Sequence, residues 1–409
     1  MKIGIFSDSY MPYISGVTTS LFMLAEGLIK EGHEVYIITA TGKGYKEFDK
    51  DYPYIIRFKG VPFPKKGLRA FRMIAYNQSH IKRILELDLD VMHVHSEFSI
   101  GNMAIHMRDN YKIPMVYTTH TMYEEYPHYV SKLAAKLFRK SFMKGLKSLM
   151  RRYILRADVT ITPSQKIKDL MLSYNIPGNY EIVPTGINLK KFRRSTYKEE
   201  EIKALKDSLG LKDDEFVCLF VGRISAEKSI EVLIDGFYHA NNEKMKFVIV
   251  GDGPHKSNLE SMVKKLYLED KIIFTGQVDW DKVGIYYQIG DCFLNASVSE
   301  TQGLTYIEAL ASGTAVIVKY DKVLESVVEH GYNGLFFHEN SELPELINSI
   351  SLDPSITETL KQNASLSVEK YSQEGYVNNA LKTYEKAIRL TEKEKALELS
   401  SITKKNIKE

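Results

Sequence analysis

Two carboxylates eight positions apart, Glu300 and Glu308, frame a glycine in the stretch Ser297-Val-Ser-Glu-Thr-Gln-Gly-Leu-Thr-Tyr-Ile-Glu-Ala-Leu-Ala-Ser-Gly313. Upstream, Asp291-Cys-Phe-Leu-Asn-Ala296 reads as a short buried strand. Downstream, Leu304 to Ala311 reads as a helix that Gly313 ends. A strand-to-helix turn holding glycine leaves the backbone N–H groups of Gly303, Leu304 and Thr305 free to meet an anion. Glu300 in the loop and Glu308 one turn into the helix can accept hydrogen bonds from several hydroxyls of one ligand. Diphosphate on the amides and hydroxyls on the carboxylates together describe a nucleotide sugar. The plainer alternative is an ordinary strand-to-helix turn, so the rest of the chain has to decide.

At 409 residues, 44% hydrophobic and 26% charged, the chain exceeds one ordinary core and suits two domains. A net charge of +3 does not mark a nucleic-acid binder. The two cysteines, Cys218 and Cys292, fall inside apolar strand-like runs and read as reduced core residues of a cytosolic protein. The apolar run at Met1 to Asp8 is too short for a signal peptide, and no stretch approaches the roughly 18 apolar residues of a spanning helix. The expected location is therefore cytoplasmic.

The carboxylate pair must be positioned by something larger. Lys2 to Ser7 reads as a buried strand, Thr18 to Lys30 as a helix and Val35 to Thr39 as the next strand, which predicts a doubly wound parallel sheet. Its first turn lacks the Gly-x-Gly-x-x-Gly of dinucleotide sites, but Gly16 would let the backbone approach a ligand. Strands are expected at Val91 to His95, Met115 to Thr119, Val159 to Thr162 and Tyr180 to Val183. Charge rises across Lys190 to Lys212, where a domain boundary is expected. A second series follows: strand Phe216 to Val221, helix Ser229 to His239, strand Phe247 to Val250, the turn Gly251-Asp-Gly-Pro254, and strands Lys271 to Thr275 and Ala315 to Val318. The expected domains are 1–190, 191–370, and a helix from 371 that returns to the first domain before a charged tail.

Lys2-Ile-Gly-Ile-Phe-Ser with Pro12 and Ser15-Gly-Val, the turn Val221-Gly-Arg-Ile-Ser-Ala-Glu-Lys228, Gly251-Asp-Gly-Pro, and Glu300-x7-Glu308 with Ala-Leu-Ala-Ser-Gly resemble, in this order and over nearly the whole chain, the retaining GT-B glycosyltransferases of the glycogen-synthase-like and sucrose-synthase-like family four. The resemblance implies an α/β chain with the GT-B fold, two facing Rossmann-like domains with an interdomain cleft. More narrowly, Ser299-Glu-Thr-Gln-Gly-Leu-Thr, with Gln302 where most relatives have Phe, looks like the bacterial 1,2-diacylglycerol 3-α-glucosyltransferases. That implies transfer of glucose from UDP-glucose to the 3-hydroxyl of a diacylglycerol-type lipid.

The resemblance also implies roles. Arg223 and Lys228 would neutralise the diphosphate leaving group, Glu300 would hold the 3- and 4-hydroxyls of the sugar, and Glu308 the ribose. Backbone near Val278 would meet the uracil, Gly16 the diphosphate, and His120 the sugar near its 6-hydroxyl. His93 and His95 share a strand face but lack a third ligand, and Asp88-Leu-Asp90 precedes a strand, at the wrong end of a sheet for a metal site. No cofactor beyond the nucleotide sugar is expected, and a divalent cation would at most stimulate. Two departures, Thr185 with Asn188 and the loop Lys319-Tyr-Asp-Lys322, bear on which sugar is carried.

Between Ser131 and Arg156 lie nine cations and no acid: Lys132, Lys136, Arg139, Lys140, Lys144, Lys147, Arg151, Arg152 and Arg156. Against a whole-chain +3, nine cations here leave the remainder at −6. Leu133, Leu137, Phe142, Leu146, Leu149 and Tyr153 recur at near-helical spacing, as in a cationic amphipathic helix lying on an anionic membrane. Phe63 to Arg72 would add a second basic and aromatic contact. The expected protein is thus peripheral to the inner face of the cell membrane. The alternatives are a helix packed on its own domain, a transferase of this fold with a polysaccharide, soluble-sugar or protein acceptor, and an anionic-polymer binder on an inactive scaffold.

Overall fold

The apolar runs become the strands of two parallel sheets. The computed structural model describes residues 1–406 except 14, 43, 63–71, 121–143, 299 and 301, with backbone alone at 401–406. By its contacts the chain divides into two units, Met1–Gly186 with Gln373–Glu409, and Ile187–Ser372.

In the first unit the strands of the large sheet are β1 (Lys2–Phe6), β2 (Glu34–Ala40), β3 (Ile55–Phe58), β4 (Val91–Val94), β5 (Met115–Thr118), β6 (Val159–Thr162) and β7 (Tyr180–Ile182). They pair in the order β3-β2-β1-β4-β5-β6-β7, all parallel. Alternation along β1 feeds both faces. Ile3 and Ile5 join the cluster covered by Leu21, Leu24 and Leu28 of the helix Gly16–Lys30 and by Val377, Ala380 and Tyr384 of the helix Gln373–Asn406. Phe6 joins the opposite cluster with Met103, Met107 and Tyr153. Each fully buried aliphatic side chain contributes about 1.5–3 kcal/mol relative to exposure. This two-sided burial makes the strands read as continuous apolar runs. Edge strand β3 was not anticipated; its four residues alternate half-buried and buried, giving a short, weak signal.

The second unit contains β8 (Phe216–Val221), β9 (Met245–Val250), β10 (Ile272–Gly276), β11 (Cys292–Asn295), β12 (Ala315–Lys319) and β13 (Gly334–Phe337), in the order β10-β9-β8-β11-β12-β13. Counted from its first strand this is 3-2-1-4-5-6, the doubly wound order whose reversal lies between β8 and β11. The charged stretch Lys190 to Lys212, expected at the boundary, belongs wholly to this unit. Leu189, Phe192, Ile202 and Leu211 pack into its core, and the charges coat the outside of the helix Glu199–Ser208. Cys218 and Cys292 face each other in register on β8 and β11 as buried free thiols. Burial pushes both thiols up, away from nucleophilic use.

Asp88-Leu-Asp90 sits at the amino end of the first sheet. Leu89 is buried against Gly4, Asp90 accepts the Lys2 amide at 2.7 Å, and Asp88 pairs with the Lys2 ammonium at 3.7 Å.

Candidate active site

In an open parallel sheet the reversal of strand order splays the loops after the two flanking strands and leaves a crevice at their carboxyl ends. In the second unit those loops follow β8 and β11. The β8 turn is laced to the turn after β9 by backbone bonds from Gly222 to Val250, Ile224 to Asp252 and His255 to Ile224, at 2.9–3.2 Å. A Cβ at Gly251 would stand 1.9 Å from the Gly222 carbonyl oxygen, and one at Gly253 2.1 Å from that of Ile224. The Gly251-Asp-Gly-Pro motif is therefore a buttress for the turn that carries Arg223 and Lys228.

The two loops meet at an ion pair. Lys228 Nζ donates to Glu300 Oε1 at 2.6 Å, with the side chains 24% and 14% exposed. Arg223 is exposed in the same turn. Burial opposes ionisation of the neighbouring Glu227, but the Ser225 hydroxyl, backbone N–H, Lys228 and Arg223 hold its carboxyl below the usual range.

Gly303 begins the helix Leu304–Ala311 with a left-handed φ of 82°. A Cβ there would lie 2.9 Å from both Leu324 Cδ2 and Tyr306 Cδ2, so conformation and space both require glycine. Gly303, at the cap position, has no side chain to bond this helix start, and no acid lies in the first turn, so Leu304 and Thr305 stand at the positive end of the helix. Glu308, half-buried, accepts from the Tyr287 hydroxyl at 2.7 Å. Burial raises its carboxyl to about 7, opposed by the Tyr287 hydrogen bond and the Lys191 charge. Lys191 lies 3.3 Å from the centre of the Trp280 indole and donates to the Trp280 carbonyl. Burial lowers the Lys191 ammonium to about 8, opposed by Glu308 and Asp281. Val278 is half-buried on the loop after β10.

Lys191, Trp280 and Tyr287 were not singled out from the sequence. Trp280 is the single tryptophan of the chain and stands two residues after Val278, a compositional signal that could have drawn notice.

In the first unit the reversal lies between β1 and β4. Gly16 is the first residue of its helix, capped by a reciprocal Ser15–Thr18 pair. A Cβ at Gly16 would meet nothing within 4 Å, so local packing does not demand glycine there. Asp8, just past β1, accepts from Ser96 Oγ and Ser99 Oγ at 2.6 Å and from the Ile100 amide at 3.0 Å, tying the two loops together. His120 follows β5, with its Nε2 2.7 Å from His95 Nδ1. Burial lowers its imidazole to about 4. His93 is bonded to Tyr384 and Thr118, both nitrogens being occupied by hydroxyls.

Of the expected membrane contacts, Lys132, Lys136, Arg139 and Lys140 lie outside the described residues, as do 63–71 and Leu133, Leu137 and Phe142. Lys144, Lys147, Arg151 and Arg152 lie on a helix spanning 144–154. Over 144–154 the expected bilayer-facing apolar stripe is corrected. Leu146, Met150, Tyr153 and Ile154 are buried in the first unit's core, with Leu149 packed against it, because the stripe covers the sheet. The cations remain on the outer face: Lys144, Arg151 and Arg152 are exposed, and Lys147 lies 4.0 Å over the Tyr174 ring. No helix among the described residues is long and apolar enough to cross a membrane.

The family model for glycosyl transferases group 1 matches residues 201–367, and that for glycosyltransferase family 4 matches residues 14–191. The chain is 42% identical to an alpha-monoglucosyldiacylglycerol synthase of Acholeplasma laidlawii over 94% of this chain and 96% of that protein. It is 36% identical to the protein of the same name from Streptococcus pneumoniae over 88% and 80%. Anabaena HepE, solved in complex with UDP and glucose, shares the fold at a TM-score of 0.73 and 19% identity, covering 94% of this chain and 99% of that one. The turn after β8, the helix behind Gly303 and the two carboxylates thus sit in a chain that belongs to the GT-B glycosyltransferases of group 1 and family 4.

Proposed function

We propose that the chain is a retaining hexosyltransferase that moves glucose from UDP-glucose to the 3-hydroxyl of 1,2-diacylglycerol at an anionic membrane surface on the cytoplasmic side. The observation that carries the donor half is the Lys228–Glu300 pair, whose carboxylate lies on the loop that leads into the start of the helix Leu304–Ala311. The acceptor half rests on 42% identity to an alpha-monoglucosyldiacylglycerol synthase across nearly its full length.

As the bond between sugar and diphosphate breaks, negative charge grows on the leaving group. Lys228 and Arg223, with the amides of Gly303, Leu304 and Thr305, stabilise that charge, and held in place they lower the barrier without reorganising. Glu300, released from Lys228 by the diphosphate, accepts the 3- and 4-hydroxyls of glucose. Glu308 accepts the ribose hydroxyls, backbone at Val278 meets uracil, Gly16 lets the first unit's backbone approach the diphosphate, and His120 meets the sugar near its 6-hydroxyl. Retention follows if the acceptor attacks from the face the diphosphate leaves, its proton passing to a phosphate oxygen. That route needs no covalent nucleophile, whereas double displacement requires a carboxylate beneath the anomeric carbon. Charge neutralisation by Lys228 and Arg223 makes a divalent ion stimulatory rather than required. The exposed cations Lys144, Arg151 and Arg152 supply the attraction to anionic lipid by charge alone, since the stripe beneath them is core.

The test is a panel of labelled nucleotide sugars incubated with mixed vesicles containing diacylglycerol. Label from UDP-glucose entering the organic phase supports the proposal. Label from another sugar, or label kept in the aqueous phase on an oligosaccharide or protein, replaces the donor or the acceptor.

A further inference from the structure

At the carboxyl ends of β4 and β5 three histidine rings form a column. His93 Nδ1 meets the Tyr384 hydroxyl at 2.8 Å and its Nε2 the Thr118 hydroxyl at 2.7 Å. The His95 ring lies 3.8 Å from that of His93, and it stacks on His120 at 5.0 Å. His95 Nδ1 and His120 Nε2 are 2.7 Å apart. His95 is 4% exposed, and its Nε2 is buried without a hydrogen-bond partner among the described residues.

Burial holds all three rings below the usual histidine range, so each is neutral at physiological pH and carries one N–H. The 2.7 Å contact then needs one donor and one acceptor, which leaves two arrangements. If His120 donates, the His95 proton must sit on Nε2, where a buried N–H has nothing to receive it. If His95 donates from Nδ1, its Nε2 is a bare acceptor, a less costly orphan than a buried N–H. His120, accepting at Nε2, must then carry its own proton on Nδ1.

We propose that His95 is a positioning residue that fixes His120 as the Nδ1–H tautomer, so that His120 offers a hydrogen-bond donor to an oxygen of the transferred sugar. The inference rests on the reading that His120 meets that sugar. His93, pinned by Tyr384 of the helix Gln373–Asn406 and by Thr118, packs against His95 and holds its ring plane. The column explains why two histidines with no metal-binding partner among the described residues stand two apart at the carboxyl end of β4: one is a wedge, the other a tautomer selector.

The experiment uses the full chain with nitrogen-15 in its histidines, with His120 assigned by the signals lost in His120→Ala. Long-range proton–nitrogen correlations should show His120 protonated at Nδ1. In His95→Phe the tautomers should mix and kcat should fall about tenfold, the size of one neutral hydrogen bond, with donor KM little changed. His95→Asn, whose amide nitrogen can stand near the Nδ1 position, should restore most of both and guards against misfolding of the phenylalanine variant. A wild-type His120 protonated at Nε2 overturns the proposal, as does a folded His95→Phe with unaltered tautomer and turnover. Normal turnover in His120→Ala would instead remove His120 from the sugar site, a failure of the underlying reading that the tautomer measurement keeps separate.

Discussion

Replacing Lys228 by Ala separates a catalytic from a structural meaning of the ion pair. Lys228 and Glu300 are 2.6 Å apart and mostly enclosed, at 24% and 14% exposure, so removing the cation leaves a carboxylate with reduced hydration. That should lower stability by about 1–3 kcal/mol, the cost of an unsatisfied, partly buried polar group. Independently, loss of one fixed charged donor from a site where anionic charge develops should cost on the order of 3 kcal/mol, roughly 150-fold in kcat/KM. The double variant Lys228→Ala/Glu300→Gln removes the stranded charge, so its thermal midpoint should return toward wild type while turnover stays low. Scanning calorimetry and UDP release from UDP-glucose read the two quantities on the same samples. If turnover recovers along with stability in the double variant, or hardly falls in Lys228→Ala, the cation has no part in leaving-group stabilisation.

Glu300→Gln alone should reduce kcat more than it weakens donor binding, because contacts to the sugar strengthen as positive charge develops at the anomeric carbon; equal losses in steady-state kinetics would argue against that role. Burial lifts Glu308 to about 7, so the acid form gains below that pH, and UDP-glucose affinity by calorimetry should fall toward about tenfold per pH unit below it. Folding stability should move oppositely, highest at low pH and declining as pH rises from the ordinary carboxylate range through about 7, because the native state favours the proton; a wild type with the flat affinity profile expected of Glu308→Gln would refute the link. Changing Lys144, Arg151 and Arg152 to Gln should weaken binding to anionic vesicles by up to about 3 kcal/mol, at about 1 kcal/mol per cation. The wild-type attraction should fade with salt as the screening length shortens to about 8 Å; sedimentation showing unaltered binding would move the membrane contact elsewhere.

Much of this architecture is legible in the chain because parallel strands buried on both faces must be apolar without interruption, as at Phe216 to Val221 and Phe247 to Val250. The glycine motifs are legible as turns, but the reasons for them differ and lie in the surrounding packing. Gly303 is forced by φ and crowding, Gly251 and Gly253 by carbonyl oxygens about 2 Å from where a Cβ would stand, and Gly16 by nothing nearby. The helix at 144–154 shows a limit of periodicity. An apolar stripe under a row of cations is written the same way whether it meets lipid or its own sheet, and only the burial of Leu146, Met150 and Tyr153 decides. Contacts between distant segments stayed hidden for the same reason. Lys191 and Trp280 are 89 residues apart, and Tyr384 reaches His93 across 291. No local pattern records such a pairing.

Retaining transfer of glucose to diacylglycerol can be read from the anomeric configuration of the lipid product. Purified protein, UDP-glucose and vesicles containing 1,2-diacylglycerol should yield a glucolipid whose anomeric proton shows the small coupling of an α-linkage to the 3-hydroxyl. A β-linked product would contradict the same-face mechanism, and the absence of any glucolipid while UDP is released would contradict the acceptor.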